Sequence, residues 1–209
     1  MKRLVIYIHG MGGTPDEAKH YIPIFKGFDV IGFDYKANAP KEAVIEFKSY
    51  LNGVSRGYDE VYIVAVSLGA YFSLITFHGE NIKKAFLISP VTDMEKLILD
   101  MMRAEGVTED ELKRRKKIPT RSGTELSLDY LNDVRSYKIN PTFPISILYG
   151  ENDALIPYEI IKGFAERTGS TLTVMKNGEH WFHTDEQMKF LDGWLEKELN
   201  DIASYHNLK

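Results

Sequence analysis

The chain has 209 residues, a length that fits one domain with a substantial buried core. Hydrophobic residues make up 44% and charged residues 27%, which is ordinary for a globular protein, and the net charge of -4 gives no reason to expect a nucleic-acid partner. The sequence contains no cysteine, which excludes disulfides, thiolate chemistry and zinc sites built on cysteine.

The N-terminus predicts a cytoplasmic protein that is not anchored to a membrane. Lys2 and Arg3 are basic, but the apolar run that follows them stops at His9 and is too short for the core of a signal peptide. No segment approaches the roughly 18 to 20 apolar residues that cross a bilayer. We therefore expect no membrane partner.

Short apolar runs alternate with amphipathic stretches along the chain. Strands are predicted at residues 4–8, 29–33, 61–66, 84–88, 145–149 and 171–175. Helices are predicted at 40–51 and 68–77, from Pro157 to just before Gly169, and after the capping-box pair Thr184 and Gln187. Strands separated by helices predict an α/β fold with a mostly parallel sheet of about six strands and helices on both faces.

Residues 91–140 interrupt this alternation. Apolar residues at helical spacing and two capping boxes predict three amphipathic helical pieces, around 94–101, 108–119 and 128–134, and no strand. We therefore predict a single domain, residues 1–209, with a small helical insertion at about 91–140 over one edge of the sheet.

Ser67 lies between a predicted strand and a predicted helix. A serine at such a junction can be held in a sharp, strained turn that exposes its hydroxyl group. Ala65 and Gly69, two positions before and after it, are small enough for the strand and the helix to pass closely. The backbone N–H of Leu68 would lie at the helix N-terminus, which favours an anion. The alternative is that Ser67 only caps the helix.

A glycine-rich loop, His9-Gly10-Met11-Gly12-Gly13, follows the first predicted strand. Such a loop can direct a backbone N–H at a developing oxyanion, and Met11 is the candidate donor. A phosphate-binding loop is the alternative, but the longer dinucleotide pattern and the Walker lysine are both missing. His9 itself is interpreted as a structural, hydrogen-bonded histidine.

Two later loops carry a candidate acid and a candidate base. Asp153 follows the strand at 145–149, with Glu151 as a rival carboxylate, and His180 follows the strand at 171–175, with His183 as a rival base. Each could instead be an ordinary loop residue. All the candidate segments nevertheless follow strands, and the carboxyl edge of a parallel sheet is where open α/β folds bind ligands.

On these residues the sequence resembles the α/β-hydrolase superfamily, in particular its small single-domain serine esterases, over nearly the whole chain. The order nucleophile, acid, base along the chain agrees with that resemblance. It implies a Ser67–His180–Asp153 triad and an oxyanion hole formed by the backbone N–H groups of Met11 and Leu68. It also implies that no cofactor and no metal is required.

The sequence departs from the family pattern in two places. Ala65 stands where the nucleophile motif usually has glycine, and the first strand begins at once, without the leading hairpin of the family. We therefore expect a reduced version of the fold. The segment 123–137 resembles part of a helical lid.

The predicted function is hydrolysis of carboxylic esters with short to medium acyl or aryl groups, so the predicted partner is a small-molecule acyl substrate. Trp181 and Phe182 flank the candidate base and are predicted to contact this substrate. The basic run from Lys113 to Lys117 is interpreted as a solvated helix face, with attraction of an anionic substrate as the alternative.

The residues leave other functions open. The same triad can serve a thioesterase, an amidase, a carbon–carbon hydrolase or an acyltransferase. A non-catalytic small-molecule-binding protein on the same scaffold is a further alternative, although such a protein would be expected to have lost part of the site.

Overall fold

A computed structural model describes residues 1–206 of the chain. The strands are β1 (Arg3–Ile8), β2 (Asp29–Gly32), β3 (Glu60–Val66), β4 (Ile82–Ile88), β5 (Lys117–Pro119), β6 (Glu125–Ser127), β7 (Ile145–Gly150) and β8 (Thr171–Met175). The helices are α1 (Ala18–Tyr21), α2 (Pro40–Val54), α3 (Ser67–Thr76), α4 (Met94–Glu105), α5 (Glu109–Arg115), α6 (Leu128–Ser136), α7 (Tyr158–Thr168) and α8 (Asp185–His206). Within residues 1–206, no helix is both long and apolar enough to cross a membrane.

Six of the strands form one sheet, in the order β2-β1-β3-β4-β7-β8, and every neighbouring pair is parallel. This confirms the predicted fold class and the expected number of strands. Strand β1 is buried along almost its whole length because helices cover both faces of the sheet. Alternate residues separate into two cores: Ile6 packs with residues of α2 and α3, and Tyr7 with residues of α1 and α8.

The segment between β4 and β7 differs in part from the prediction. It contains the three expected helices, α4, α5 and α6, but also an antiparallel hairpin formed by β5 and β6, where no strand was predicted. Helix α5 ends at Arg115 and not at Pro119, because Lys116 adopts a positive φ of 68° that a helix cannot continue through. Each of the two short strands buries a single apolar side chain, Ile118 or Leu126.

An arginine joins the three helices of this segment. Arg135 of α6 donates through Nε to Glu95 of α4 at 2.6 Å and through its terminal nitrogens to Glu109 of α5 at 2.8 and 3.0 Å. These hydrogen bonds raise the pKa of Arg135 and lower that of Glu109. The three helices are therefore cross-linked to one another as well as packed on the core.

Candidate functional site

Ser67 occupies a strained turn between β3 and α3. Its φ is 47°, a left-handed value that is uncommon for a residue with a side chain. The close approach of α3 to β1 explains the small residue at Gly69, because a Cβ at that position would lie 2.3 Å from the carbonyl oxygen of His9. The turn therefore holds the Ser67 hydroxyl at the carboxyl edge of the sheet.

The side chains of Ser67, His180 and Asp153 form a continuous hydrogen-bonded chain. The Ser67 Oγ lies 2.9 Å from His180 Nε2, and His180 Nδ1 lies 2.6 Å from Asp153 Oδ2. Because a carboxylate accepts, Nδ1 carries the hydrogen in this arrangement, and Nε2 is left to accept from the Ser67 hydroxyl. The three residues predicted from the sequence are thus brought together in hydrogen-bonding order.

Asp153 is held rigidly from both sides. Its side chain is fully buried, and its second oxygen, Oδ1, accepts from the backbone N–H groups of Leu155 at 2.8 Å and Ile156 at 2.9 Å. These two bonds leave Oδ2 directed at the imidazole ring of His180. Such an orienting carboxylate fixes both the tautomer and the position of a histidine.

A glycine and a backbone hydrogen bond bring the loops of Asp153 and His180 together. A Cβ on Gly150 would lie 2.5 Å from the carbonyl oxygen of Glu179, so the loop after β7 can approach the loop after β8 only with glycine there. The backbone N–H of Asn152 donates to the carbonyl oxygen of Gly178 at 2.7 Å.

The rival acid, Glu151, and the rival base, His183, form other hydrogen bonds. Glu151 accepts from the backbone N–H of Asn177 at 3.0 Å and so fastens a turn. The Nδ1 atom of His183 lies 2.7 Å from the carbonyl oxygen of Trp181. The structure therefore brings His180 and Asp153, and not His183 and Glu151, to the hydroxyl of Ser67.

The glycine-rich loop after β1 lies beside the serine. A Cβ on Gly10 would be 3.4 Å from Cβ of Ser67, and Met11 is the next residue in the same loop. His9 is buried, stacks on Tyr35 with ring centroids 4.3 Å apart, and keeps its Nδ1 2.9 Å from the carbonyl oxygen of Gly10. Tyr35 donates its O–H to the His9 carbonyl oxygen at 3.0 Å.

Tyr7 and Glu17 support this loop, although neither was singled out from the sequence. The buried Tyr7 hydroxyl donates to the Glu17 carboxylate, which also accepts from the backbone N–H of Thr14 at 3.2 Å. A Cβ on Gly13 would lie 3.0 Å from the same carboxylate. Thr14 and Glu17 have capping-box spacing, a sequence signal that could have identified Glu17 but not Tyr7.

A cavity of about 700 Å³ opens beside Ser67. Its described lining includes the loop after β1, the loop after β2, the start of α3 and much of the segment between β4 and β7. The apolar lining residues are Met11, Ala37, Leu68, Val91, Met94, Leu97, Ile98, Met101, Leu126 and Leu155. Its size is typical of a pocket for a small organic molecule.

Trp181 and Phe182 were both predicted to contact substrate, but the fold gives the two side chains different environments. Phe182 is only 6% exposed and packs in the core between the sheet and α8, so it supports the loop from beneath. Trp181 is 71% exposed and stacks on His183 with ring centroids 4.8 Å apart. Neither belongs to the described lining of the cavity.

The basic run on α5 and β5 is largely paired with acidic neighbours. Lys113 pairs with Asp110, Arg115 with Glu111 and Lys117 with Glu125. No residue from 113 to 117 belongs to the described lining of the cavity. This favours the interpretation of a solvated face over that of a site for an anionic substrate.

Comparison with known proteins supports the fold. The sequence matches no protein-family model and no curated protein sequence. Among solved structures, it is similar to Est1E from Butyrivibrio proteoclasticus, with a TM-score of 0.76, 17% identity and coverage of 97% of this chain and 89% of that one. It is also similar to alpha/beta hydrolase domain-containing protein 10 from mouse, with a TM-score of 0.75, 18% identity and coverage of 95% and 90%. A carboxylesterase structure from Nitrososphaera gargenis aligns with a TM-score of 0.63, 17% identity and coverage of 96% and 92%.

Proposed function

The chain has the α/β-hydrolase fold, and we propose that within this fold it acts as a serine hydrolase of small carboxylic esters. The observation that carries this proposal is the hydrogen-bonded chain from Ser67 through His180 to Asp153. A hydroxyl in a strained turn, an imidazole and a buried carboxylate in this order are the parts that nucleophilic acyl transfer requires.

The proposed reaction begins with attack of Ser67 Oγ on the ester carbonyl carbon. His180 Nε2 takes the hydroxyl proton, and Asp153 stabilises the imidazolium that forms. The backbone N–H groups of Leu68 and Met11 bind the oxyanion of the tetrahedral intermediate. Leu68 is suited to this role because N–H groups in the first turn of a helix have no partner within the helix.

Collapse of the intermediate breaks the bond to the leaving oxygen, which receives the proton from His180. The alcohol departs, and the acyl group stays on Ser67. Water then attacks the acyl-enzyme with His180 again as the base, which releases the acid and restores the serine hydroxyl. In this proposal α4, α5, α6 and the β5–β6 hairpin act as a lid over the acyl site.

The test is hydrolysis of p-nitrophenyl esters by the intact protein and by Ser67→Ala. We expect the variant to lose at least about a thousandfold in kcat, because the nucleophile is removed while the fold is kept. A fluorophosphonate should label the intact protein at Ser67 and leave the variant unlabelled. Activity that survives the substitution would remove Ser67 from the mechanism.

The same assay separates the other reactions of such a site. Thioester and anilide substrates with a matched acyl group compare thioesterase and amidase activity with esterase activity. Added alcohols or amines reveal acyl transfer through a new ester or amide product. We expect the oxygen ester to be the best substrate and water the main acceptor.

A further inference from the structure

The cavity lies on one side of Ser67, away from the loop that carries His180. None of residues 178–183 belongs to its described lining, which comes instead from the loops after β1 and β2, the start of α3, the segment between β4 and β7, and Leu155 in the loop after β7. In acyl transfer the leaving oxygen must accept a proton from the histidine, so the leaving group lies beside His180 Nε2. The other side of the carbonyl carbon, the acyl side, then faces the cavity.

One wall of the cavity is the apolar stripe of α4. Met94, Leu97, Ile98 and Met101 recur at positions i, i+3, i+4 and i+7, and all four line the cavity. The stripe starts near the nucleophile, because the backbone N–H of Val91 donates to the Ser67 carbonyl oxygen at 3.4 Å. From Met94 to Met101 the helix rises by about 10 Å. The stripe therefore leads away from the reacting carbon.

Several polar side chains on the cavity already have partners within the protein. Lys36 Nζ lies 2.6 Å from Asp34, and Glu125 lies 2.8 Å from the Nζ of Lys117, which is outside the described lining. Thr124 Oγ1 lies 2.8 Å from the hydroxyl of Thr120. A polar acyl group would have to compete with these bonds after losing its own water, whereas an alkyl chain would not.

We infer that α4 is the ruler for the acyl chain, and that the preferred substrates carry a linear, medium-length alkyl acyl group. This inference rests on the proposed ester hydrolysis at Ser67. An extended acyl chain of roughly eight carbons spans the length of the stripe, because C–C bonds of about 1.5 Å meet at tetrahedral angles. Leu97 and Met101 are then residues that determine specificity, the first nearer to the reacting carbon than the second.

The test compares two leucines of the same helix. Leu97 and Leu99 are both partly buried on α4, but Leu97 lines the cavity and Leu99 does not belong to its described lining. Positions two apart on a helix point in different directions, so Leu97→Trp fills the cavity while Leu99→Trp makes the same change of volume elsewhere. We measure kcat/KM for p-nitrophenyl esters from acetate to palmitate.

The intact protein and Leu99→Trp should both prefer octanoate to butyrate and to palmitate. Leu97→Trp should lower the ratio of kcat/KM for octanoate to kcat/KM for butyrate by at least about tenfold, whereas Leu99→Trp should leave this ratio unchanged. Met101→Trp should affect octanoate and longer esters more than hexanoate and shorter ones, because that side chain lies at the far end of the stripe. Leu97→Ala and Leu99→Ala repeat the comparison without added volume, and Leu97→Ala alone should extend the range to longer esters.

The outcomes distinguish this inference from the proposed function. If Leu97→Trp and Leu99→Trp are active with the same chain-length profile as the intact protein, the ruler is wrong while ester hydrolysis stands. A preference of the intact protein for acetate over octanoate also rejects the ruler. If the intact protein hydrolyses no ester and a fluorophosphonate does not label Ser67, the proposed function itself is wrong.

Discussion

The Tyr7 hydroxyl and the Glu17 carboxylate lie beneath the loop that we propose binds the oxyanion. Burial raises the pKa of Tyr7, with the neighbouring Tyr21 and the bond to Glu17 adding to the effect, so the hydroxyl keeps its proton and donates it. The hydrogen bond from Tyr7 fixes the position of the Glu17 carboxylate, and this carboxylate in turn holds the loop by accepting from the backbone N–H of Thr14. Neither side chain belongs to the described lining of the cavity, so we assign them a positioning role.

Tyr7→Phe removes only the hydroxyl and should slow catalysis through the position of the Met11 backbone. We expect kcat for an ester to fall roughly tenfold with KM changed by less than about twofold, because a misplaced oxyanion donor acts on the transition state. The control is Tyr62→Phe, which removes a Tyr–Glu bond, 2.9 Å to Glu60, near the opposite end of the sheet. Equal effects of the two variants on kcat would show that the role of Tyr7 is only structural.

Some residues of the site could be predicted from the sequence, and others could not. Ser67, Asp153 and His180 could be predicted because each follows a strand of a parallel sheet, which brings their loops to one edge. The roles of Trp181 and Phe182 could not be separated, because two adjacent aromatic residues in a loop carry no periodic signal. Their difference in burial comes from the packing of Phe182 against α8.

At the scale of elements, the contact between α3 and β1 holds Ser67 in its turn. Gly69 on α3 faces the carbonyl oxygens of Ile8 and His9, which a Cβ would approach to 2.7 and 2.3 Å. Both of these atoms are backbone, so they cannot move aside as a flexible side chain would. The helix and the glycine-rich loop would have to separate to admit a methyl group.

Gly69→Ala should therefore destabilise the fold by about 1–3 kcal/mol, the usual effect of overpacking. Gly163→Ala is the matched control, because Gly163 lies within α7 and has open space where its Cβ would be. That change should stabilise the protein by about 0.5–1 kcal/mol, since alanine favours a helix. Urea denaturation measures both free energies of unfolding, and a stable Gly69→Ala would contradict the close contact.

The elements also separate into those that sequence periodicity identifies and those that it does not. All six strands of the main sheet were predicted: the four inner strands are largely buried apolar runs, and the edge strands β2 and β8, which are only partly buried, are short β-rich runs next to turn residues. Strands β5 and β6 have three residues each and one buried side chain each, too few to show a period of two. Their pairing depends on contacts with the neighbouring helices, which no local pattern records.

Over the whole molecule, the two ends of the parallel sheet carry different kinds of polar cluster. The loops of the proposed catalytic residues lie at the carboxyl ends of the strands. At the other end, Glu198 of α8 accepts from Lys84 Nζ at 2.7 Å and from the Ser146 hydroxyl at 2.7 Å, and Ser146 accepts from Thr171 at 2.7 Å. These residues are far apart in the sequence, so only the folded chain shows that they form one network.

The network joins the last helix to strands β4, β7 and β8, so Glu198→Ala should destabilise the whole fold. The change leaves the largely buried Lys84 ammonium without its carboxylate and the Ser146 hydroxyl without its acceptor, which we expect to cost about 2–4 kcal/mol. Glu196→Ala, at an exposed position on the same helix, should change stability by less than about 0.5 kcal/mol.

Activity provides the second readout of this comparison. Because the network lies at the end of the sheet opposite Ser67, kcat/KM of folded Glu198→Ala at low temperature should stay within about twofold of the intact protein. Thermal unfolding followed by circular dichroism and an ester assay on the same samples measure both quantities. A loss of activity without a loss of stability would mean that the two ends of the sheet are coupled, and that the polar cluster at the amino end contributes to more than holding α8 in place.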